Sequence, residues 1–263
     1  MKITVLMENI AKEGFLCEHG LSLYIETSAG QKILFDTGAS DAFVENAQKL
    51  GVDLAEVDFA FISHGHRDHS GGIRKFLEIN KKAPVYVAVD AFERYYNAEL
   101  KEISIDAGIT VSGRIILVRN KLDIASKIHI ADMNNAERKH YAGTYGLMRL
   151  VKGKLVPDSF EHEMYLTMEE NGKKIVFSGC SHKGILNIVD WFKPNVVIGG
   201  FHFFKLDVNK KSDAEYLQQA TDFLKASGAV FYTCHCTGEK QFAFMREYMP
   251  ELEYVSAGSV LEI

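Results

Sequence analysis

The chain has 263 residues, a formal net charge of −5, and 47% hydrophobic and 25% charged side chains. That is the composition of a water-soluble globular protein long enough for a large core. The acidic balance argues against a general nucleic-acid binder or a binder of anionic membranes, and no apolar run approaches the about 18 residues of a membrane span.

The segment Met1 to Asn9 has too short an apolar stretch for a signal peptide and reads as a first strand. Cys17, Cys180, Cys234 and Cys236 are too few for a disulfide framework, so a reducing cytoplasm is expected. No linker, low-complexity tract or short-period repeat interrupts residues 1–263, and one domain is expected.

Lys2 to Glu8, Leu21 to Glu26 and Lys32 to Asp36 read as strands, separated by turns at Gly14, Gly20 and Ala29-Gly30. Ser40 to Leu50 has helical spacing with a polar cap at its start. Val57 to Ile62 is a mostly apolar strand, Gly71 to Asn80 a helix, Val85 to Val89 a strand and Ala91 to Ala98 a helix. Residues 100–142 carry short β-rich pieces, Arg114 to Val118 and Lys127 to Ile130, between polar turns. They read as a variable insertion, either a lid or a sheet extension.

Gly146 to Leu155 and Met164 to Met168 follow as strands, and Asn171-Gly172 is a hairpin signal before the strand Lys173 to Phe177. Helices are expected at Gly184 to Phe192, Asp213 to Ala226 and Glu239 to Tyr248. Strands are expected at Asn195 to Ile198, Ala229 to Thr233 and Tyr254 to Glu262. Strands alternating with helices in two halves predict an α/β sandwich.

Between the fourth strand and its helix lies Ser63-His64-Gly65-His66-Arg67-Asp68-His69-Ser70-Gly71-Gly72. Three imidazoles and a carboxylate within six residues, at the carboxyl end of a strand, mark a ligand site of an open α/β sheet. In extended chain His64 and His66 point the same way and reach one cation. Asp68 and His69 face a second position in the turn that follows. Imidazole with carboxylate suits Zn²⁺, Fe or Mn²⁺ rather than Ca²⁺. Three later strands also end in glycine-bearing turns with a histidine: His182, His202 and His235. His129 and His140 lack clustered partners and are not expected to be ligands.

His64-x-His66-x-Asp68-His69 resembles the signature of the metallo-β-lactamase superfamily. Phe35-Asp36-Thr37-Gly38 is similar to its early strand-end Asp. Ser178-Gly179-Cys180-Ser181-His182 and His235 are similar to its later ligand motifs. The resemblance implies a four-layer αββα sandwich with a one- or two-metal site at the edge of the two sheets. It implies that Asp36 supports the metal loop from behind rather than ligating.

The expected ligands are His64, His66, Asp68, His69, His182 and His235. Cys180 stands where many relatives carry a bridging Asp, and it is either a thiolate ligand or a small buried residue. Glu161-His162-Glu163 lies where relatives place a middle ligand but departs from their pattern, so His162 and Glu163 are left out. Cys234 and Cys236 are expected to pack on the face opposite His235. Zn²⁺ is the expected cation, with Fe or Mn²⁺ as alternatives.

Gly-Cys-Ser-His-Lys-Gly-Ile-Leu-Asn at 179–187, Gly-Gly-Phe-His at 199–202 and His-Cys-Thr-Gly at 235–238 resemble a narrower subgroup. It is typified by a dihydropterin-methyl-(ribofuranosyl)aminobenzene phosphate synthase of methanopterin biosynthesis. Three functions follow. One is a hydrolase using metal-activated water on an ester, phosphate or lactone-type small molecule, with Asp68 as ligand and proton acceptor and His202 polarising the substrate or protonating its leaving group. The second is a pterin-type transferase releasing diphosphate. The third is a non-catalytic sensor on the same fold. A pterin-like ligand would stack on an aromatic ring; Phe92, Tyr95, Tyr96, Phe203 and Phe204 are the candidates, with core packing the commoner role.

Overall fold

The computed structural model describes residues 1–263. Its first half runs β1 (Lys2–Met7), β2 (Ser22–Glu26), β3 (Lys32–Phe35), α1 (Ala42–Lys49), β4 (Phe59–Phe61), α2 (Arg67–Ser70), α3 (Ile73–Ile79), β5 (Val85–Ala88), β6 (Tyr95–Tyr96) and β7 (Ile115–Val118). The second continues with β8 (Lys121–Ala125), β9 (Ile128–Ala131), β10 (Met148–Val151), β11 (Lys154–Pro157), β12 (Tyr165–Glu170), β13 (Lys173–Ser178), α4 (Ile185–Phe192) and β14 (Val196–Gly199). It ends with α5 (Lys211–Ala226), β15 (Val230–Thr233), α6 (Glu239–Tyr248), β16 (Glu253–Tyr254) and β17 (Val260–Glu262).

Two seven-stranded sheets form, ordered β17-β1-β2-β3-β4-β5-β7 and β16-β15-β14-β13-β12-β9-β8. Each is built alike. Antiparallel hairpins open it, and three parallel pairings close it, from β3 to β7 in one and from β13 to β16 in the other. Alternation along the strands explains the layers. Ile175, Phe177, Val196 and Ile198 join the core shared with the first sheet, while Val176, Val197 and Phe231 point outward. The outward residues are covered by Ile185, Ile188 and Val189 of α4, Leu217 and Leu224 of α5, and Met245 of α6. Phe43 and Ala47 of α1 cover the first sheet. The architecture is the expected α/β sandwich of helix, sheet, sheet and helix. No helix is long and apolar enough to cross a membrane.

Three local expectations are corrected. Residues 91–98 are not a helix: a 3-10 turn at Val89–Phe92 leads into β6, because Tyr95 and Tyr96 pair with Arg149 and Met148. Residues 146–155 are not one strand but fold back at Lys152-Gly153, both with positive φ, into the hairpin of β10 and β11. Finally, residues 254–262 divide between the sheets, β16 pairing with β15 and β17 with β1. The helix expected at Gly71 to Asn80 is present as Ile73–Ile79, preceded by the separate single turn Arg67–Ser70. The hairpin signal at Asn171-Gly172 holds, with φ of 53° and 74° as its turn requires. Within residues 100–142, β7 forms the edge of one sheet and β8 the edge of the other, so this part of the segment extends both sheets.

Candidate metal centre and cleft

β4, β13, β14 and β15 each end at the same rim of the sandwich. Their turns carry His64 to His69, Cys180 to His182, His202, and His235 to Cys236. Strained backbone accompanies them: Asp36, Ser181, His202 and His235 have φ of 57°, 59°, 57° and 49°. Side chains other than glycine hold that conformation only where the surroundings enforce it, and such residues cluster at functional sites.

Two donor groups result. In the first, His64, His66 and His182 bring their ligand atoms within 4.8 Å of one another. His64 Nε2 and His182 Nε2 face each other at 3.3 Å. In the second, His69 Nε2 and His235 Nε2 lie 3.2 Å apart, and Asp68 Oδ2 is 3.3 Å from His235 Nε2 and 3.7 Å from His69 Nε2. Cys180 Sγ lies 3.2 Å from His69 Nε2 and also groups with His182 and His202. It therefore sits between the two sets. The six histidine and aspartate ligands expected from sequence all meet at this rim.

Hydrogen bonds behind the rings decide which nitrogen each presents. Asp36 is fully buried, accepts the Ser63 N–H on Oδ1 at 2.7 Å, and accepts the Ser63 hydroxyl and His69 Nδ1 on Oδ2, each at 2.7 Å. The Ser63 oxygen, having donated, accepts from His64 Nδ1 at 2.9 Å. His235 Nδ1 donates to Asn9 Oδ1 at 2.8 Å. His64, His69 and His235 are thus oriented with Nε2 toward the site.

That arrangement fits a metal ion. The facing Nε2 atoms of His64 and His182, 3.3 Å apart, and of His69 and His235, 3.2 Å apart, are spaced at about the edge of a tetrahedron with metal–nitrogen bonds of about 2.0–2.1 Å. His66 Nε2 and both His202 nitrogens are buried without a hydrogen-bond partner. Burial, with His162 beside it, holds the His66 imidazole down to about 3. Burial and neighbouring imidazoles hold His64 and His182 well below the ordinary range. These three are neutral donors. Burial opposes charge on His69, but the Asp68 and Asp36 carboxylates outweigh it and hold that imidazole up to about 9. Burial likewise opposes ionised Asp68, and His69 and His235 overcome it, keeping this carboxyl well below its usual range.

A cleft of about 470 Å³ opens above the donors. Asn97 to Glu99, Ile103, Tyr145 and Leu147 line it, and exposed Arg67 and Lys205 also reach it. Of the five aromatics singled out, Phe204 alone lines this cleft. Tyr95 is buried against His162 at 4.0 Å between centroids, and Phe203 is part of the outer core.

His162 and Glu163 do not present donors. His162 Nδ1 accepts from Gly65 N at 2.9 Å and Nε2 meets Asp158 at 3.0 Å, so the ring props the His66 loop. Glu163 faces main-chain N–H groups. Cys234 packs in the core, but Cys236 does not pack on an opposite face. Residues 235–237 form a 3-10 turn rather than extended chain, so Cys236 reaches the cleft and groups with Cys180 and His235. His19 was missed: its Nε2 lies 3.4 Å from Asp68 Oδ2, and a lone histidine in a loop carries no spacing signal.

The profile of the Metallo-beta-lactamase superfamily matches residues 17–226. The chain belongs to this superfamily. Among curated relatives it is 30% identical to the 7,8-dihydropterin-6-methyl-4-(beta-D-ribofuranosyl)-aminobenzene-5'-phosphate synthase of Methanocaldococcus jannaschii, over all of this chain and 96% of that protein. An uncharacterized protein of the same archaeon is 29% identical over 99% of this chain and all of its own. Among solved structures, a metal-dependent hydrolase of the β-lactamase superfamily superposes with a TM-score of 0.82 at 28% identity, covering all of this chain and 99% of the other. The short form of human tRNase Z, at 18% identity and a TM-score of 0.56, shares the superfamily fold across all of this chain and 99% of its own.

Proposed function

We propose that the protein is a metal-dependent hydrolase acting on an ester, phosphate or lactone bond of a small molecule in a reducing cytoplasm. One observation carries the reading: two groups of unprotonated or displaceable donors meet at the floor of a cleft large enough for a metabolite. Nitrogen donors with one carboxylate favour Zn²⁺, with Fe or Mn²⁺ next. When bound, such a cation acts as a Lewis acid and lowers the pKa of water to about 7.

The chain's own residues supply the rest. His64, His66 and His182 form one ligand set, and Asp68, His69 and His235 the other, with Cys180 between them. Asp68 lines the cleft as a ligand carboxylate, and its role as proton acceptor rests on that position beside the donors. His202 lines the cleft with both nitrogens unpartnered, which suits it to polarise the substrate or protonate a leaving oxygen. Arg67 and Lys205 favour an anionic substrate.

A second reading is a pterin-type transferase releasing diphosphate, favoured by the full-length 30% identity to the pterin-named synthase. The test is metal analysis of protein purified without added metal, followed by a screen of phosphomonoesters, phosphodiesters and lactones. Turnover of any of them that requires metal supports the hydrolase. Diphosphate release only when a pterin diphosphate and an aminobenzene phosphate are both present supports the transferase. Metal-loaded protein inert to all of these would refute both.

A further inference from the structure

Two buried glutamates stand behind the donor groups, one behind each. Glu163 and Glu8 are both 0% exposed. Glu163 Oε1 accepts the His182 main-chain N–H at 2.6 Å, and its Oε2 accepts the Lys183 N–H at 2.9 Å and the Tyr165 hydroxyl at 2.6 Å. Glu8 Oε1 accepts the His235 main-chain N–H and the Tyr254 hydroxyl, the latter at 2.8 Å, and its Oε2 accepts the Ile10 N–H at 2.7 Å. The same device is built twice: a carboxylate, a tyrosine hydroxyl, and the N–H of a histidine whose ring faces the cleft.

Carboxylates are almost never buried this fully unless their oxygens are satisfied, and a packed apolar side chain would carry no such desolvation cost. The gripped turns explain what the cost secures. Ser181, just before His182, and His235 itself hold φ of 59° and 49°. A non-glycine residue stays there only while its surroundings over-determine it. Of the three hydrogen bonds each carboxylate accepts, one comes from the main-chain N of the histidine itself, the atom next to its Cα, and the other two hold the carboxylate in place. Glu8 also spans the two sheets, following β1 in the first and holding the turn after β15 in the second.

We propose that Glu163 and Glu8 are positioning residues, each fixing one histidine of one donor group through its main chain. The inference rests on the metal-centre reading above. It predicts selectivity, because neither glutamate touches the other's turn. The experiment titrates full-length metal-free protein with Co²⁺, following its visible absorption and its competition with a chelator. His66→Ala and His69→Ala assign the signals of the two groups.

Glu163→Gln should weaken the cation of the His64, His66 and His182 group by about 10–100-fold, the range for loss of a partner behind a ligand. It should spare the other group. Glu8→Gln should do the reverse. Tyr165→Phe and Tyr254→Phe should shift the same respective cation in the same direction by less, and they decide the matter if a glutamine variant does not fold. If the wild type takes up one cation, only the glutamate behind the group that holds it should govern the affinity.

Circular dichroism and urea unfolding of each metal-free variant separate misfolding from misplacement. Folded variants with wild-type affinity at both groups, or with equal losses at both, would overturn the inference alone. Wild-type protein that takes up no Co²⁺ would overturn the metal-centre reading and this inference with it.

Discussion

Asp36→Asn is the substitution that best separates the support of the site from the site itself. Asn keeps the shape of the side chain and tolerates the φ of 57° at this position, so the backbone is not further strained. What changes is the acceptor set. Asp36 receives three donors: Ser63 N, the Ser63 hydroxyl and His69 Nδ1. An amide accepting from Ser63 N turns its NH₂ toward the other two. The Ser63 hydroxyl can rotate and accept, but the His69 Nδ1 proton is left buried and unpaired. One orphaned buried donor costs about 1–3 kcal/mol, a visible share of a total stability of about 5–15 kcal/mol. Metal affinity should fall by about 10–100-fold, because His69 is no longer oriented and its ring is less basic. Urea unfolding of the metal-free protein and chelator competition measure the two effects. Asp36→Ala should be worse in both, since it orphans more donors and adds about 1–2 kcal/mol for a left-handed alanine. An Asn variant that matches the wild type in unfolding midpoint and in metal affinity would refute the assignment of Asp36 as the acceptor that orients His69.

Three further substitutions probe the donors directly. His66→Ala should lower metal content and melting temperature together, because a cation bound only to the folded state stabilises it; unchanged stoichiometry and melting in the variant would count against His66 as a ligand. His202→Ala should retain its metal and still lower kcat by about 10²–10⁴-fold, the scale of a lost proton donor, and full turnover on whichever substrate the screen finds would remove His202 from the chemistry. Cys180→Ser tests whether the thiolate ligates: Co²⁺-loaded wild type should show a near-ultraviolet sulfur-to-metal charge-transfer band that the variant lacks, and a band surviving in Cys180→Ser would assign the sulfur elsewhere, with Cys236 next in reach.

The fold was legible where one physical rule dominated. Apolar alternation and the Asn171-Gly172 turn marked β12 and β13, and the strand-end histidines of both halves pointed to a common rim because parallel strands end together. It was illegible where long-range pairing decided. Tyr95 and Tyr96 have helical neighbours in sequence, but β10 recruits them into a strand more than 50 residues away. Cys236 was misread for a related reason: alternation was assumed through His235, whereas the chain there is a 3-10 turn with a left-handed residue. Glu8 gave no signal and Glu163 was weighed only as a ligand, because the partners that reveal their role are main-chain N–H groups and tyrosine hydroxyls brought in by the fold, the His235 N–H from 227 residues away.

The two donor groups differ in charge, and that difference should appear in the protons that a cation releases. His64, His66 and His182 are held below their ordinary range by burial first, so at neutral pH a cation entering their group displaces no proton. His69 is held up to about 9 against its burial by Asp68 and Asp36, so at neutral pH it is protonated on both nitrogens. Its Nδ1 proton stays with Asp36. A cation entering the group of Asp68, His69 and His235 must therefore expel the Nε2 proton. About one proton should leave per cation at this group and none at the other. Affinity at this group should rise about tenfold per pH unit from neutrality up to the folded pKa of His69 and level off above it, while the three-histidine group stays flat over the same interval. The same sign governs the metal-free protein. Stability contributed by charged His69 is complete below its unfolded pKa of about 6.5 and disappears as the pH rises through about 9. Calorimetric titration in two buffers of different ionisation enthalpy counts the protons directly. Equal proton release at both groups, or an affinity at the Asp68 group that does not rise with pH, would show that its carboxylates do not set the charge of His69.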